Sequence, residues 1–371
     1  MSTVCRDLRL YLRLLNLLGM MCWHFDSGHC QLVATPSCER YARTYLVVIL
    51  VATTGCFTFA HLNPERFHIG IYNRTGNFYE TVIFRSTCLV LFFLYVILYV
   101  RRHRHRELVQ LLLRLNRRCV ASSRDRQFLH NLILYGVLSV VCFGNYFNGY
   151  SRAGLAALPL AFCLVVYIYT FLVICLLLVF FVCLKQIMAA GLVHYNRLLG
   201  QGDLAPGLWG RQQILALCEG ELSDCFGQLM LPIVALVLLM APSGPFYLIS
   251  TVMEGKFDSG EYLAMVLISS TWDTPWMIML VLMLRTNGIT VEANKTAKIL
   301  AKVPRTGTGL DRMIEKFLLK NLRQQPILTA YGFFALDKST LFKLFTAIFT
   351  YMVILVQFKE MENTTKAISK F

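Results

Sequence analysis

Apolar runs of about 20 residues recur along this chain, and each is long enough to cross a hydrocarbon core of about 30 Å as a helix. They lie near Thr44 to Leu62, Thr81 to Val100, Phe128 to Phe147, Leu155 to Leu184, Leu229 to Val252, Tyr262 to Leu284 and Leu341 to Phe358. The pattern predicts an all-α membrane protein with seven transmembrane helices. The fourth run is about 30 residues long, so its helix either projects beyond the bilayer or tilts strongly. Two further stretches are amphipathic instead of uniformly apolar. In the first, Arg6, Arg9 and Arg13 interleave with Leu8, Leu10, Leu12, Leu14 and Leu15 before the chain runs apolar to Phe25. A signal peptide would have a charge-poor core and a small-residue cleavage site, so an interfacial helix is expected. In the second, Ile314, Phe317, Leu318 and Leu322 recur at helical spacing among Asp311, Arg312, Glu315, Lys316, Lys320 and Arg323, which predicts a helix lying outside the bilayer. Pro326 ends it, and Asp337 ahead of Ser339 and Thr340 is placed to cap the last span. Gly200, Gly202, Pro206, Gly207 and Gly210 read as a loop.

Charge gives these spans a direction. Of 36 Lys and Arg, 27 fall on one side, in the N-terminal segment and the 101–127, 185–228 and 285–338 connections. Seven fall in the 63–80, 148–154 and 253–261 connections and the tail. This bias predicts a cytoplasmic N-terminus and an extracellular C-terminus. The expected organisation is a cytoplasmic segment at 1–43 with its interfacial helix, a six-helix bundle at 44–284, a cytoplasmic connection at 285–338 with its amphipathic helix, the last spanning helix at 339–358, and an extracellular tail at 359–371. Composition agrees: 56% of residues are hydrophobic, 15% are charged and the mean hydropathy is +0.56, too apolar for a soluble domain. The net charge of +15 is then topological, an attraction to anionic inner-leaflet lipid, and no nucleic-acid partner is expected. The run Arg101-Arg102-His103-Arg104-His105-Arg106 reads as a solvated juxtamembrane cluster. Asn73 and Asn363 begin glycosylation sequons on the outer side, whereas the Asn294 sequon falls inside. None of the 13 cysteines lies in an outer loop or the tail, so no disulfide framework is expected. Cys22, His24, His29 and Cys30 match no standard zinc spacing, and neither metal nor cofactor is predicted.

Polar residues inside spans are the candidates for function. On the last span, Thr346, Thr350 and Gln357 fall on one stripe at 3.6 residues per turn, beside Leu344, Ala347, Tyr351 and Phe358. Such a stripe faces protein or water, because an unpartnered amide in hydrocarbon costs several kcal/mol. Asp273, within Ser269-Ser270-Thr271-Trp272-Asp273-Thr274-Pro275-Trp276, lies deep in span six, where a carboxylate needs a cavity or a partner. It either lines a ligand pocket or makes an interhelical bond, and Trp272 and Trp276 either stack on a ligand or pack. Asn145, Tyr146, Asn148 and Tyr247, at the outer ends of spans three and five, are weaker pocket candidates. Arg85, a few residues into span two, is expected to snorkel outward.

The chain resembles insect gustatory receptors at its C-terminus. Thr350-Tyr351, five apolar residues and Gln357-Phe358 match that family's signature, preceded by its looser Gly-Phe pattern at Gly332-Phe333-Phe334-Ala335-Leu336-Asp337. The resemblance implies a ligand-gated, non-selective cation channel in the plasma membrane of gustatory neurons, with four identical or related subunits each giving one last helix to a central pore. By motif, Gln357 and Phe358 would form the gate, Tyr351 and Leu355 would lie deeper, and Glu360 and Glu362 would ring the exit and favour cations. A small-molecule tastant would bind in the outer half of each bundle. The rival class is a seven-span receptor signalling through G proteins. Against it stand the inside N-terminus, the lack of outer-loop cysteines and the absence of Asn-Pro-x-x-Tyr in span seven. A transporter or an intramembrane enzyme would need repeat symmetry, paired acids or His clusters within spans, and none is present.

Overall fold

The computed structural model describes residues 3–26, 31–67, 74–118, 125–152, 156–253, 259–284, 288–300, 312, 314–315 and 328–368. Its helices are α1 (Thr3–Leu17), α2 (Pro36–Leu62), α3 (Arg74–Val100), α4 (Arg102–Arg118), α5 (Asp125–Arg152), α6 (Ala157–Gly200), α7 (Leu204–Ala216), α8 (Ser223–Met240), α9 (Ser243–Met253), α10 (Ser259–Leu284), α11 (Gly288–Leu300) and α12 (Lys338–Ile368). The strands β1 (Trp23–Asp26) and β2 (Gln31–Ala34) form an antiparallel hairpin. Spans α2, α3, α5, α6, α8 with α9, and α12 are long and apolar enough to cross a membrane, and α10, 26 residues long, completes seven.

At 44 residues and 1.5 Å per residue, α6 is about 66 Å long, roughly twice the hydrocarbon thickness. Its most apolar window is 72% buried, because it is the central column on which α3, α5, α7, α10 and α11 pack. The excess length runs out at the end that carries the Lys/Arg-rich connections. There α7 turns back along α6, and the predicted 200–210 loop shrinks to a turn at 201–203, with Pro206 tolerated in the first turn of α7. Gly210 lets the two helices approach: a Cβ there would collide with the Tyr195 ring. A six-residue π-helical turn, Leu217–Leu222, joins α7 to α8. Lys185, counted above with a connection, is instead buried on α6, donating to the Met283 carbonyl (3.1 Å) with its Nζ 4.6 Å from the Phe181 ring centroid.

The N-terminal segment differs from the single interfacial helix expected. α1 forms, but Tyr11, Leu12 and Leu15 are buried in the bundle, and the apolar stretch after it becomes β1. Asn16 ties the two together, donating to and accepting from the backbone of Trp23 (2.5 and 3.3 Å). The Arg101–Arg106 run differs as well. Arg106 donates to the Leu32 carbonyl (2.7 Å), Arg102 sits 4.9 Å from the Tyr99 ring, and His105 is buried flat against Phe226 at 5.4 Å. Both His105 nitrogens are buried without a partner, and burial, with Arg101 nearby, pushes its pKa down to about 4. Only His103 and Arg104 of the run are exposed. Arg85 turns to the last turn of α2, donating to the Ala60 carbonyl (3.3 Å), where a cation favours the helix C-terminus. Of the amphipathic 311–323 segment, Arg312, Ile314 and Glu315 are described and helical, with Ile314 buried beside Leu199, Leu208 and Leu300. The remainder, and His29, Cys30 and Asn73, lie outside the described residues.

Candidate functional site: a broken helix and an uncovered helix

Span five is not one helix. It breaks at Ala241-Pro242, where proline supplies no N–H, and resumes as α9 at Ser243. Backbone ends exposed by a break at membrane depth must find partners. Asp273 of α10 meets the N-terminal end of α9: Ser243 Oγ donates to Oδ1 (3.2 Å) and the Gly244 N–H to Oδ2 (3.0 Å). Tyr79 of α3 meets the C-terminal end of α8, donating to the Leu239 carbonyl (2.5 Å). Asp273 thus serves as an interhelical cap, one of the two roles the sequence leaves open for it.

Its neighbours are mutually engaged too. Trp276, fully buried, donates from Nε1 to Tyr146 Oη (3.3 Å) and packs edge-on against Phe171. Tyr146 stacks on Tyr167 at 5.1 Å. Asn145, Asn148 and Tyr247 are half-buried, and the Trp272 side chain lies outside the described residues. The structure therefore brings Asp273, Tyr146 and Trp276 into one buried region. The sequence reading missed Ser243, Gly244 and Tyr79, although the run Ala241-Pro242-Ser243-Gly244-Pro245 inside an apolar span is a break signal.

The last helix is held at its start by two devices. Asp337 accepts the Thr340 N–H (2.8 Å), the cap its position predicts. The Gly-Phe segment ahead of it folds into a tight turn, bridged Thr329 to Ala335, that sits on Gly227 of α8. A Cβ on Gly227 would strike the Tyr331 backbone, so only glycine permits this docking.

Beyond its start, α12 separates the four residues assigned to the gate. Tyr351 and Leu355, four residues apart, face α3, and with Phe358, which is 53% exposed at the edge of that side, they line an apolar groove of about 400 Å³ with Thr75, Phe78, Tyr79 and Val82. Glu362 continues that side, accepting from the N–H (3.1 Å) and Oγ (2.8 Å) of Thr75 at the first turn of α3. It is engaged within the subunit, whereas Glu360 is exposed. Gln357 lies across the helix from Leu355 and is exposed with Thr346 and Thr350. Those threonines return their hydroxyls to the carbonyls of Phe342 (3.1 Å) and Thr346 (2.9 Å), which leaves the Gln357 amide, with Lys343 nearer the start of the helix, as the strongly polar exposed groups of that face. Asn363 lies within the same continuous helix.

Only 6% of the residues in the most apolar window of α12 are buried by the rest of the chain. Spans α2 and α5 also have few buried residues in their apolar windows, 11% and 17%, but their open sides present Val47, Val48, Val51, Ile133, Val137 and Val140, which suit lipid. The open side of α12 presents an amide, which does not.

Comparison with known proteins gives the frame for this geometry. Residues 8–362 match the family described as 7tm Chemosensory receptor. The chain is 76% identical to Gustatory and pheromone receptor 39a, isoform A, of Drosophila melanogaster over 371 residues, covering 100% of both. This chain belongs to the 7tm chemosensory receptor family. It is also 43% identical to isoform D of that receptor, over 98% of each chain. Among solved structures, the insect olfactory receptor OR5 from Machilis hrabei in complex with eugenol superposes with a TM-score of 0.68, at 10% identity, over 95% of this chain and 99% of that one, a likeness of fold. The chain is accordingly a chemosensory receptor and a multi-pass protein of the plasma membrane. Its relatives are receptors and not enzymes, and none of them supports the G-protein alternative.

Proposed function

We propose that this receptor is a ligand-gated cation channel subunit, and that several copies surround a central pathway with the Gln357 side of α12. The observation that carries this reading is the amide on an uncovered spanning helix: facing lipid it would cost several kcal/mol, facing water or a second copy it is satisfied. Four such helices, drawn from identical or related subunits, would place four amides at one level with Phe358 beside them, able to close by excluding water and to open by small rotations. Glu360, exposed just beyond, would favour permeant cations at the exit, while Tyr351, Leu355 and Glu362 pack the helix against α3.

The ligand fits the class named by the relatives, a small-molecule tastant or pheromone, held in the buried region around Asp273, Trp276 and Tyr146, with Asn145, Asn148 and Tyr247 at its margins. The N-terminus would be cytoplasmic and the C-terminus extracellular, as the Lys/Arg bias requires. The test is expression of the full chain in cells without other chemoreceptors, calcium imaging against a tastant panel, and voltage clamp. Compound-evoked current is expected, with Gln357→Ala altering relative cation permeability and Phe358→Ala raising current at rest. Surface-expressed variants with wild-type selectivity, leak and response would remove both residues from the pore.

A further inference from the structure

We propose that Tyr79 is a positioning residue that couples the break in span five to the last helix, an inference that rests on the channel reading above. Three elements meet at this buried side chain. Its hydroxyl holds the Leu239 carbonyl at the end of α8. Its ring meets Phe246 of α9 edge-on at 5.8 Å and Tyr351 of α12 at 6.1 Å. Besides the backbone bonds Ala241 N–H to Val237 and Phe246 N–H to Pro242, which stay within α8 and α9 on either side, the groups freed by the break are held from outside span five, by Asp273 on one flank and Tyr79 on the other. α9 can therefore tilt as a unit about Ala241-Pro242 without losing a bond of its own helix, as proline breaks allow. Phe246 rides with α9 and meets the Tyr79 ring edge-on, so a shift of α9 displaces that ring against Tyr351, the contact that closes one end of the groove between α3 and α12. Tyr351 receives it. Gln357 lies six positions after Tyr351, about 9 Å along the helix, so a rotation imposed at Tyr351 turns the amide in the same continuous helix.

A core tyrosine that merely packs would change folding and surface delivery but not the resting equilibrium of delivered channels. The test is the caesium current at rest, per copy at the cell surface, for wild type, Tyr79→Phe, Tyr79→Leu, Tyr351→Leu and the pair Tyr79→Leu with Tyr351→Leu, beside Phe358→Ala. Tyr79→Phe keeps both ring contacts and loses only the hydroxyl, and it is expected to raise the current about fivefold with the reversal potential unchanged. Tyr79→Leu should raise it further. If that variant fails to reach the surface, Tyr79→Phe carries the test alone. The pair should leak no more than Tyr79→Leu, since the two changes remove one shared contact. A leaking Phe358→Ala beside Tyr79 variants at wild-type level, or a pair whose effects multiply, would overturn the coupling and leave the channel reading standing. A silent Phe358→Ala together with silent Tyr79 variants would sink the channel reading and the coupling with it.

Discussion

Asp273 accepts twice, from the Ser243 hydroxyl and the Gly244 N–H, and both donors sit at the first turn of a helix that would otherwise begin with unpaired groups. Asparagine has the same shape but one acceptor oxygen, so Asp273→Asn leaves one of these donors facing an NH2 group. A loss of about 1–3 kcal/mol is expected, larger than for Ser243→Ala, read as a lower melting temperature of the purified receptor. A variant of wild-type stability whose compound response alone has shifted would show that Asp273 serves the ligand first. His105 allows a second prediction. Its folded pKa of about 4 lies below its ordinary 6.5, so the unfolded chain binds the proton more readily. Stability is therefore complete above pH 6.5 and is lost as pH falls towards 4, by at most roughly 3 kcal/mol. His105→Phe preserves the ring stack on Phe226 and should flatten the melting profile across that window; an unchanged profile would contradict it. The depth of Asp273 is legible from its apolar neighbours, but its partners lie 30 residues away in sequence. His105 is masked by its basic neighbours, whose charge reads as solvation and hides the buried face of α4.

Elements were legible wherever hydrophobicity alone decides them. All seven spans appear in the sequence pattern, several with ends displaced because helices extend past the apolar run: α3 starts at Arg74 and α6 continues to Gly200. The failures came where packing overrides local signals. Gly207 and Gly210 read as loop but lie in α7, since small residues also serve close helix contact. Gly210→Ala would drive a Cβ into the Tyr195 ring, an overpacking cost of about 1–3 kcal/mol, while Gly200→Ala, with open space around its Cβ position, should be neutral. Equal melting temperatures for the two variants would mean that α6 and α7 do not pack as described. The β1–β2 hairpin escaped notice because Trp23–Asp26 and Gln31–Ala34 are each four residues, too short for periodicity to speak. On α12 the polar stripe is visible in the sequence, but its separation from Tyr351 and Leu355 emerges only with α3 alongside.

At the scale of the whole molecule, the 27 to 7 division of Lys and Arg fixes the expected orientation. An epitope tag after Phe371 should be labelled on intact cells, and Asn73 should accept a glycan while Asn294 should not. Labelling only after permeabilisation would reverse the orientation and revive the G-protein receptor reading. The chain buries α6 as its axis and leaves α12 nearly bare, an arrangement that suits a subunit better than a finished monomer. The central claim is that the bare side of α12 faces a water-filled pathway. Cysteines placed singly at Thr350, Gln357 and Leu355 in the conducting receptor, exposed to a charged water-soluble thiol reagent, test it most directly. The account predicts that the reagent blocks current through Gln357→Cys, reaches Thr350→Cys only when the pore is open, and spares Leu355→Cys. Block at Leu355→Cys with Gln357→Cys untouched would contradict it.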